Sequence, residues 1–243
     1  FGTMTLIESS VSGNTSESDG GGGVLNTATL TMTNSSVSGN TAAAGYDGGG
    51  MTNTGTLTMT GSTVSGNEAT RAAGGIANFN VLIISNSTVS GNTAARDGGG
   101  IWNNSVMTMT SCTLSKNTAS AGDGIGNGGV AMMSASLVDG DCSGVPITSA
   151  GHNIESPGDS CGFGEPSDDD SVPVDDLKLD LLADNGGPTL THALGAGSVA
   201  IDVIPEAECV DAEGAPMTID QRGEPRPETG GTDCDVGAFE VQP

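Results

Sequence analysis

The sequence predicts an all-β fold: a right-handed parallel β-helix, a solenoid of about six coils of 25–27 residues, followed by an irregular, disulfide-stapled C-terminal cap. Three observations predict it. One phrase recurs at a nearly fixed period. Within each copy apolar and polar residues alternate. The composition is rich in Gly, with 40 of 243 residues, and poor in aromatics, at 2%, which suits tight corners and repeated short strands better than a large globular core.

The phrase reads TLTMTNSSVSGNT at 29–41, TLTMTGSTVSGNE at 56–68, VLIISNSTVSGNT at 81–93 and VMTMTSCTLSKNT at 106–118, with a worn copy, TMTLIESSVSGNT, at 3–15. Anchored on Asn14, Asn40, Asn67, Asn92 and Asn117, the spacings are 26, 27, 25 and 25. Each copy opens on a strand. Leu30 and Met32 point one way, and Thr29, Thr31 and Thr33 the other; Leu57 and Met59, Leu82 and Ile84, and Met107 and Met109 repeat the pattern. Val37, Val64, Val89 and Leu114 mark a second, shorter strand. Gly-rich bends at Gly48, Gly74 and Gly98, where positive φ is needed, lead into a third. A sixth, degraded coil runs through Gly129–Val138. One coil buries little, so neighbouring coils must share a continuous core of Leu, Met, Ile and Val. Two Asn columns fall at corners, the anchor column above and Asn26, Asn53, Asn78 and Asn103. Stacked amides there satisfy backbone groups that have no ladder partner.

Charge divides the chain. Residues 1–138 hold 7 acidic and 3 basic side chains; residues 139–243 hold 23 and 3, for an overall formal charge of −24. Such a surface repels phosphate backbones and anionic lipid, which disfavours nucleic-acid and membrane-surface partners. No apolar run reaches the ~20 residues of a membrane span. The chain opens at Phe1, without Met and in mid-repeat, and is read as a processed or truncated product of a longer chain. Cys142 and Cys161 bracket one Gly/Pro/Ser-rich loop and Cys209 and Cys234 another. Both pairs read as staples, implying an oxidising, exported location. Cys112 shares a column with Ser9, Ser35, Ser62 and Ser87 and reads as a buried, inert thiol.

The paired signature of Gly-Gly-(Val, Met or Ile) and Val-x-x-Asn resembles the repeats of bacterial polymorphic outer-membrane proteins and autotransporter-like adhesins, departing from them where Val or Leu replaces their usual Phe. After Gly140 the repeat gives way to TSAGHNIES, SCGF, LADNGGPTLTHAL, GSVAID, DQRGEPRP and DVGAFE, in that order. This order resembles the C-terminal region of choice-of-anchor Q proteins, exported bacterial β-helix proteins of variable anchor. The resemblance covers about residues 140–240 and implies a surface or secreted location without implying a reaction. It divides the chain into coils at 1–140 and a cap at 141–243. No anchor segment follows Pro243, so this copy is expected to be released or cut short. The cap is expected to cover one open end of the coils; the other end is expected to be a sticky edge able to stack on another molecule.

Several groups are candidates for chemistry. Asp47, Asp97 and Asp123 precede Gly-rich bends, as does Asp19; Asp97 and Asp123 are expected one strand spacing (~4.8 Å) apart. Paired carboxylates at that range are what glycoside hydrolysis needs, while Asp before Gly is also ordinary turn chemistry. Arg71 and Arg96 align, with Tyr46 one coil earlier, and would grip a uronate or assist a lyase; ion pairing with neighbouring Asp is the plainer reading. Lys116 is a candidate base, and Trp102 a candidate sugar platform. The outward Thr grid (Thr29, Thr31, Thr33; Thr56, Thr58, Thr60; Thr108, Thr110) would match ice or a crystalline polysaccharide, though Thr also suits any solvated strand and Val81, Ile83 and Val106 interrupt the grid. His152 and His192 lack a recognisable nucleophile partner. Asp168–Asp170, with Asp175 and Asp176, offer carboxylates to Ca²⁺ without the spacing of a calcium loop. The first functional expectation is therefore an adhesin-like exported protein presenting a repetitive face to a polysaccharide or a cell surface. The second is a polysaccharide hydrolase or lyase on the same scaffold.

Overall fold

Every coil begins with a five-residue strand because five residues alternate cleanly between core and solvent. In the computed structural model, which describes residues 2–243, these strands are Thr3–Ile7, Thr29–Thr33, Thr56–Thr60, Val81–Ser85, Val106–Thr110 and Val130–Ser134. With Thr148–Ser149 they form a seven-stranded parallel sheet, sheet I. The three-residue strands from Ser10–Ser12 to Ile154–Ser156 form a second seven-stranded parallel sheet, sheet II. A four-stranded sheet III comprises Thr15–Ser16, Thr41–Ala42, Glu68–Ala69 and Thr93–Ala94. A six-stranded sheet IV runs from Val24–Asn26 to Cys142–Gly144. The predicted parallel β-helix is thus present, with five full coils, a shortened sixth and a partial seventh. Its first four coils carry a fourth strand where the sequence suggested three. Sheet III was missed because its strands are two residues long and bury only Ala, as at Ala42, Ala69 and Ala94.

The register places like on like. Leu30, Leu57, Leu82 and Met107 stack in one column, and Met32, Met59, Ile84, Met109 and Met133 in the next. Sheet II contributes Val37, Val64, Val89 and Leu114, and sheet IV Met51, Ile76, Ile101 and Ile125; all are buried in one continuous apolar cluster. At the N-terminal end, Met4 lies at the foot of the Leu30 column and is 53% exposed.

Both predicted Asn columns are continuous hydrogen-bonded ladders. Asn14, Asn40, Asn67 and Asn92 each donate Nδ2 to Oδ1 of the Asn one coil on, at 2.9–3.0 Å. Asn40, Asn67 and Asn92 also donate Nδ2 to a main-chain carbonyl on the preceding coil: Val11, Val37 and Val64. The second ladder runs Asn26, Asn53, Asn78, Asn103 and then Asn127, which the sequence reading had not included. A third corner carries Ser35, Ser62 and Ser87, each taking a main-chain N–H from the coil before and donating to a carbonyl two residues back. Cys112 continues this column, its Sγ donating to Thr110 O. The Gly bends have two separate causes. Gly48 and Gly98 have φ of +73° and +66°. Gly74 has no such φ, but a Cβ there would sit 2.5 Å from Thr93 N, where coils meet backbone to backbone.

The C-terminal third is irregular and stapled by two disulfides, as expected, but only its first loop covers the open end. The ladder does not stop at Gly140: Cys142–Gly144 pairs with Ile125–Asn127, and Ile154–Ser156 with Leu137–Asp139. Glu155 stands at the top of the Val column, where its buried carboxylate accepts Ser160 N–H, Ser160 O–H and Cys161 N–H. The loop closed by Cys142–Cys161 covers this end, adding Cys161 and Phe163 to the coil core. The rest of the region, with the Cys209–Cys234 disulfide, forms an arm that turns back along the outside of sheet II. There it builds a second apolar cluster around Leu137, Ile154, Leu194, Ile204, Val236 and Phe239. The reason is chemical: from Ser136 onward the outer face of sheet II is apolar, at Leu137 and Ile154, and needs cover. Among the described residues no helix is long and apolar enough to cross a membrane.

Asn67→Ala removes the acceptor of Asn40 N and Nδ2 and the donor to Val37 O and Asn92 Oδ1, all buried. It is expected to cost about 3 kcal/mol in urea unfolding, against under about 0.5 kcal/mol for Asn14→Ala at the exposed end. Equal losses would contradict the ladder's role.

Candidate functional site

The predicted acidic column does not assemble. Asp97 pairs with Ala121, and Asp123 stands two residues further on, its carbonyl accepting from Gly100 N beside the Gly99 bend. Asp97 and Asp123 are therefore not the stacked neighbours expected. Counting back from the inward Met51 and Ile101 shows why: Asp47 and Asp97 each precede these by four, whereas Asp123 precedes Ile125 by two. Asp47 and Asp97 share a column with Ala72 between them, so their main chains lie roughly two strand spacings, ~10 Å, apart. Asp47 Oδ1 accepts Ala72 N–H at 2.9 Å, and its Oδ2 meets Arg71 Nη1 at 3.2 Å. Asp123 Oδ1 accepts Ala119 N–H at 2.6 Å. Both carboxylates serve their turns.

Arg71 and Arg96 are neighbours along the stacking axis, Arg96 N–H donating to Arg71 O. Arg71 is drawn to Asp47, and Tyr46 lies half-buried on the coil before. Trp102 lies flat against sheet IV, its ring over Gly126, where a Cβ would meet Cε3 at 2.5 Å. Lys116 occupies a left-handed corner, φ +56°, that other coils fill with Gly39, Gly66 and Gly91. Its Nζ reaches Asp139 Oδ2 at 2.9 Å, and Ser115 Oγ donates to the same oxygen at 2.6 Å. These residues thus occupy three separate sides of the coil and line none of the cavities described below. Asp168 is engaged by Ser149, Asn153 and Glu165, and among the described residues no three His, Cys, Asp or Glu side chains gather as a metal ion would require.

A concave site does exist elsewhere. Residues 206–219 of the arm rise beside the outer face of sheet I and leave two cavities between arm and sheet. One, of 300 Å³, lies over Thr108, Thr110, Met132 and Ser134; the other, of 430 Å³, over Thr58, Thr60, Ile83 and Ser85. Thr110, Asp211 and Ala212 line both, so the two adjoin where the arm covers the buried Thr110, and together they form a two-part groove crossing several coils. Its wall presents Glu208, Asp211 and Glu213. Glu208 Oε2 lies 2.7 Å from His152 Nε2, and His152 Nδ1 is buried without a partner. Asp211 Oδ1 accepts the N–H groups of Glu213 and Ala215, fixing the turn. The groove was invisible in the sequence because its floor and wall are about a hundred residues apart and no motif joins them; the one available signal was the run of four acids and no base at 206–213.

Buried polar groups fasten the arm to the coils. Gln221 Nε2 donates to Thr63 Oγ1 and Thr189 Oγ1, and Thr88 Oγ1 donates to Gln221 Oε1. Arg226 reaches Asn86 Oδ1, Gly237 O and Glu240 Oε2. Despite that ion pair at 3.0 Å, burial, with the nearby Asp235 carboxylate adding to it, pushes the Glu240 carboxyl up to about 7; its Oε1 has no hydrogen-bond partner. Burial also raises Asp235. His192, whose sequence neighbourhood offered no nucleophile, does meet one: Ser90 Oγ, 102 residues away, at 2.8 Å from Nε2. Its Nδ1 donates to Asp180 O at 2.6 Å. Burial lowers the His192 pKa, and both residues are 2% exposed, so this neutral pair pins the arm to sheet II away from solvent. Cys112 is fully buried, which pushes its thiol up to about 12, in keeping with the inert reading. No family model matches the chain, and no curated protein or solved structure matches it either.

Cys112 is expected to resist iodoacetamide at pH 8 in the native protein and to react fully in urea; native labelling would contradict its placement. Because the Glu240 pKa is raised in the fold, the neutral form is the one the arm favours. Its contribution is complete below the ordinary carboxylate range and is lost as pH rises through about 7. The urea midpoint is expected to fall between pH 5 and 7.5, and Glu240→Gln to flatten that fall.

Proposed function

We propose that the protein is an exported, non-catalytic glycan-binding β-solenoid whose working surface is the outer face of sheet I. The observation that carries the reading is the groove over Thr58, Thr60, Thr108 and Thr110. Thr60 and Ser85, and Thr110 and Ser134, set side-chain hydroxyls one strand spacing, ~4.8 Å, apart on a floor locked by main-chain ladders. An extended polyhydroxyl chain meets there an array of fixed donors and acceptors that needs no ordering on binding. Methyl groups of the same Thr residues and of Ile83 and Met132 supply apolar contact. The two disulfides support export, since such bonds persist in oxidising compartments. The motif order that resembles choice-of-anchor Q proteins belongs to the same proposal.

The hydrolase or lyase alternative receives no support from its candidate carboxylates. Asp47 and Asp123 are held by turn N–H groups, and Asp97 has Ala121 as its neighbour.

Retention on insoluble polysaccharides tests the reading. The wild-type chain is expected to be retained by at least one glycan. Thr60→Phe with Thr108→Phe, each filling one of the two cavities from a position not fully buried, are expected to weaken that retention tenfold or more without moving the urea midpoint. No reducing ends should be released by the wild type or by Asp97→Asn. Failure of the wild type to bind any glycan would remove the proposal.

A further inference from the structure

The charge of the groove selects its ligand, an inference that rests on the glycan-binding reading above. The residues lining the two cavities include three carboxylates, Glu208, Asp211 and Glu213, and no Lys or Arg. The whole chain has only six basic residues. Arg71, Lys116, Arg222 and Arg226 are paired with Asp47, Asp139, Asp220 and Glu240; Lys178 donates to Ala196 O, and Arg96 stands beside Arg71 on another side of the coil. Among the described residues the only basic side chain lining the two cavities is the imidazole of His152, on Glu208. Glu208 and Glu213 are exposed on a wall one side chain deep, above a hydroxyl and methyl floor. Such a wall repels a uronate or sulfated chain and attracts one that carries ammonium groups.

We infer that the groove binds a cationic amino-polysaccharide, a hexosamine polymer with free amines, laid along the solenoid axis across successive coils. Its ammonium groups face Glu208, Asp211 and Glu213, and its hydroxyls face the Thr and Ser side chains of the floor. A cationic peptide fits less well. An extended peptide binds a sheet through main-chain pairing at a free strand edge, and every floor strand here already has a parallel partner on both sides. What the floor leaves available is side-chain hydroxyl and methyl, which suits a sugar chain.

The experiment is titration of the intact protein with chitosan oligosaccharides at low and high salt. The comparison ligands are the fully N-acetylated oligosaccharides, oligogalacturonate and oligolysine. Two variants of equal charge are compared: Glu208→Gln/Asp211→Asn/Glu213→Gln in the groove, which keeps the Asp211 oxygen used by its turn, and Asp159→Asn/Asp170→Asn/Asp175→Asn on the distant surface. The expected result is tight binding of the amino form, at least tenfold weaker binding of the N-acetylated form and none of oligogalacturonate. The groove variant should lose tenfold or more and the distant variant less than twofold. Equal loss in both variants would mean attraction by overall charge and would overturn the inference. Equal binding of the N-acetylated form would overturn it while leaving the glycan reading intact. Groove-dependent binding of oligolysine as tight as that of the amino-sugar would reassign the groove to a peptide and overturn it. Binding of no sugar at all would remove both.

Discussion

The fold depends on hydrogen bonds running along the stacking axis at the corners. A coil of about 25 residues must turn several times, and each turn lifts backbone groups out of the strand ladders while still burying them. In this chain the Asn side chains take up those groups. Each amide of the Asn40–Asn92 stretch donates once to the next coil's Asn and once to a carbonyl beneath. The same bond therefore satisfies the corner and fixes the vertical position of its neighbour. Once the corners are fixed, Leu stacks on Leu and Met on Met, and the apolar core becomes a thin continuous column with no need of aromatic bulk.

A column of this kind has two consequences for the rest of the chain. It has ends, and it has long sides. One end is closed by a carboxylate, Glu155, which replaces a Val of the core column and gathers the N–H groups of the loop above it. The side is where the arm lies. Its contact with sheet II is partly apolar, near Leu137 and Ile154, and partly a buried polar seam. In that seam Gln221 bridges two coils, at Thr63 and Thr88, while Arg226 and His192 reach Asn86 and Ser90 on the second of them. Buried polar seams specify position strongly, because a slip by one coil would take Arg226 off Asn86 and Gln221 off Thr63 and Thr88, leaving buried polar groups unpaired. The arm's register on the solenoid sets where its acidic turn, 206–219, stands over sheet I.

The solenoid was legible because its signals are local and repeated. Alternation at Leu30 and Met32 and the recurrence of Asn every coil are properties of the chain itself. The placement of Cys112 among Ser residues followed from the same alignment. The Asp column failed for a definable reason: the Gly run is not a fixed ruler. Asp97 lies four residues before Ile101, yet Asp123 lies two before Ile125, and only the inward side chain keeps register between coils. The fold-back of the arm was not legible. Its contacts join residues more than a hundred positions apart, such as Gln221 with Thr63 and Arg226 with Asn86. The chemistry that decides them, an apolar outer face beginning at Leu137, shows only when one knows which face of sheet II is outside. The groove depends on that fold-back, and so it too was hidden.

The division of charge acquires meaning from this arrangement. The coils carry little net charge, and the C-terminal third carries most of the −24. Had that third covered an end, the charge would have sat at one pole of the molecule, remote from the repetitive face. Folded back along the side, it forms an acidic wall parallel to rows of neutral Thr and Ser. A glycan bound as proposed above would touch both. The hydroxyl rows would act at contact range and be insensitive to salt, whereas the wall would act over about 8–10 Å at moderate ionic strength. On the proposed reading, affinity and charge selection are thus assigned to different elements: the rigid floor is built by the repeats, and the acidic wall is supplied by a segment that the repeats only hold in place.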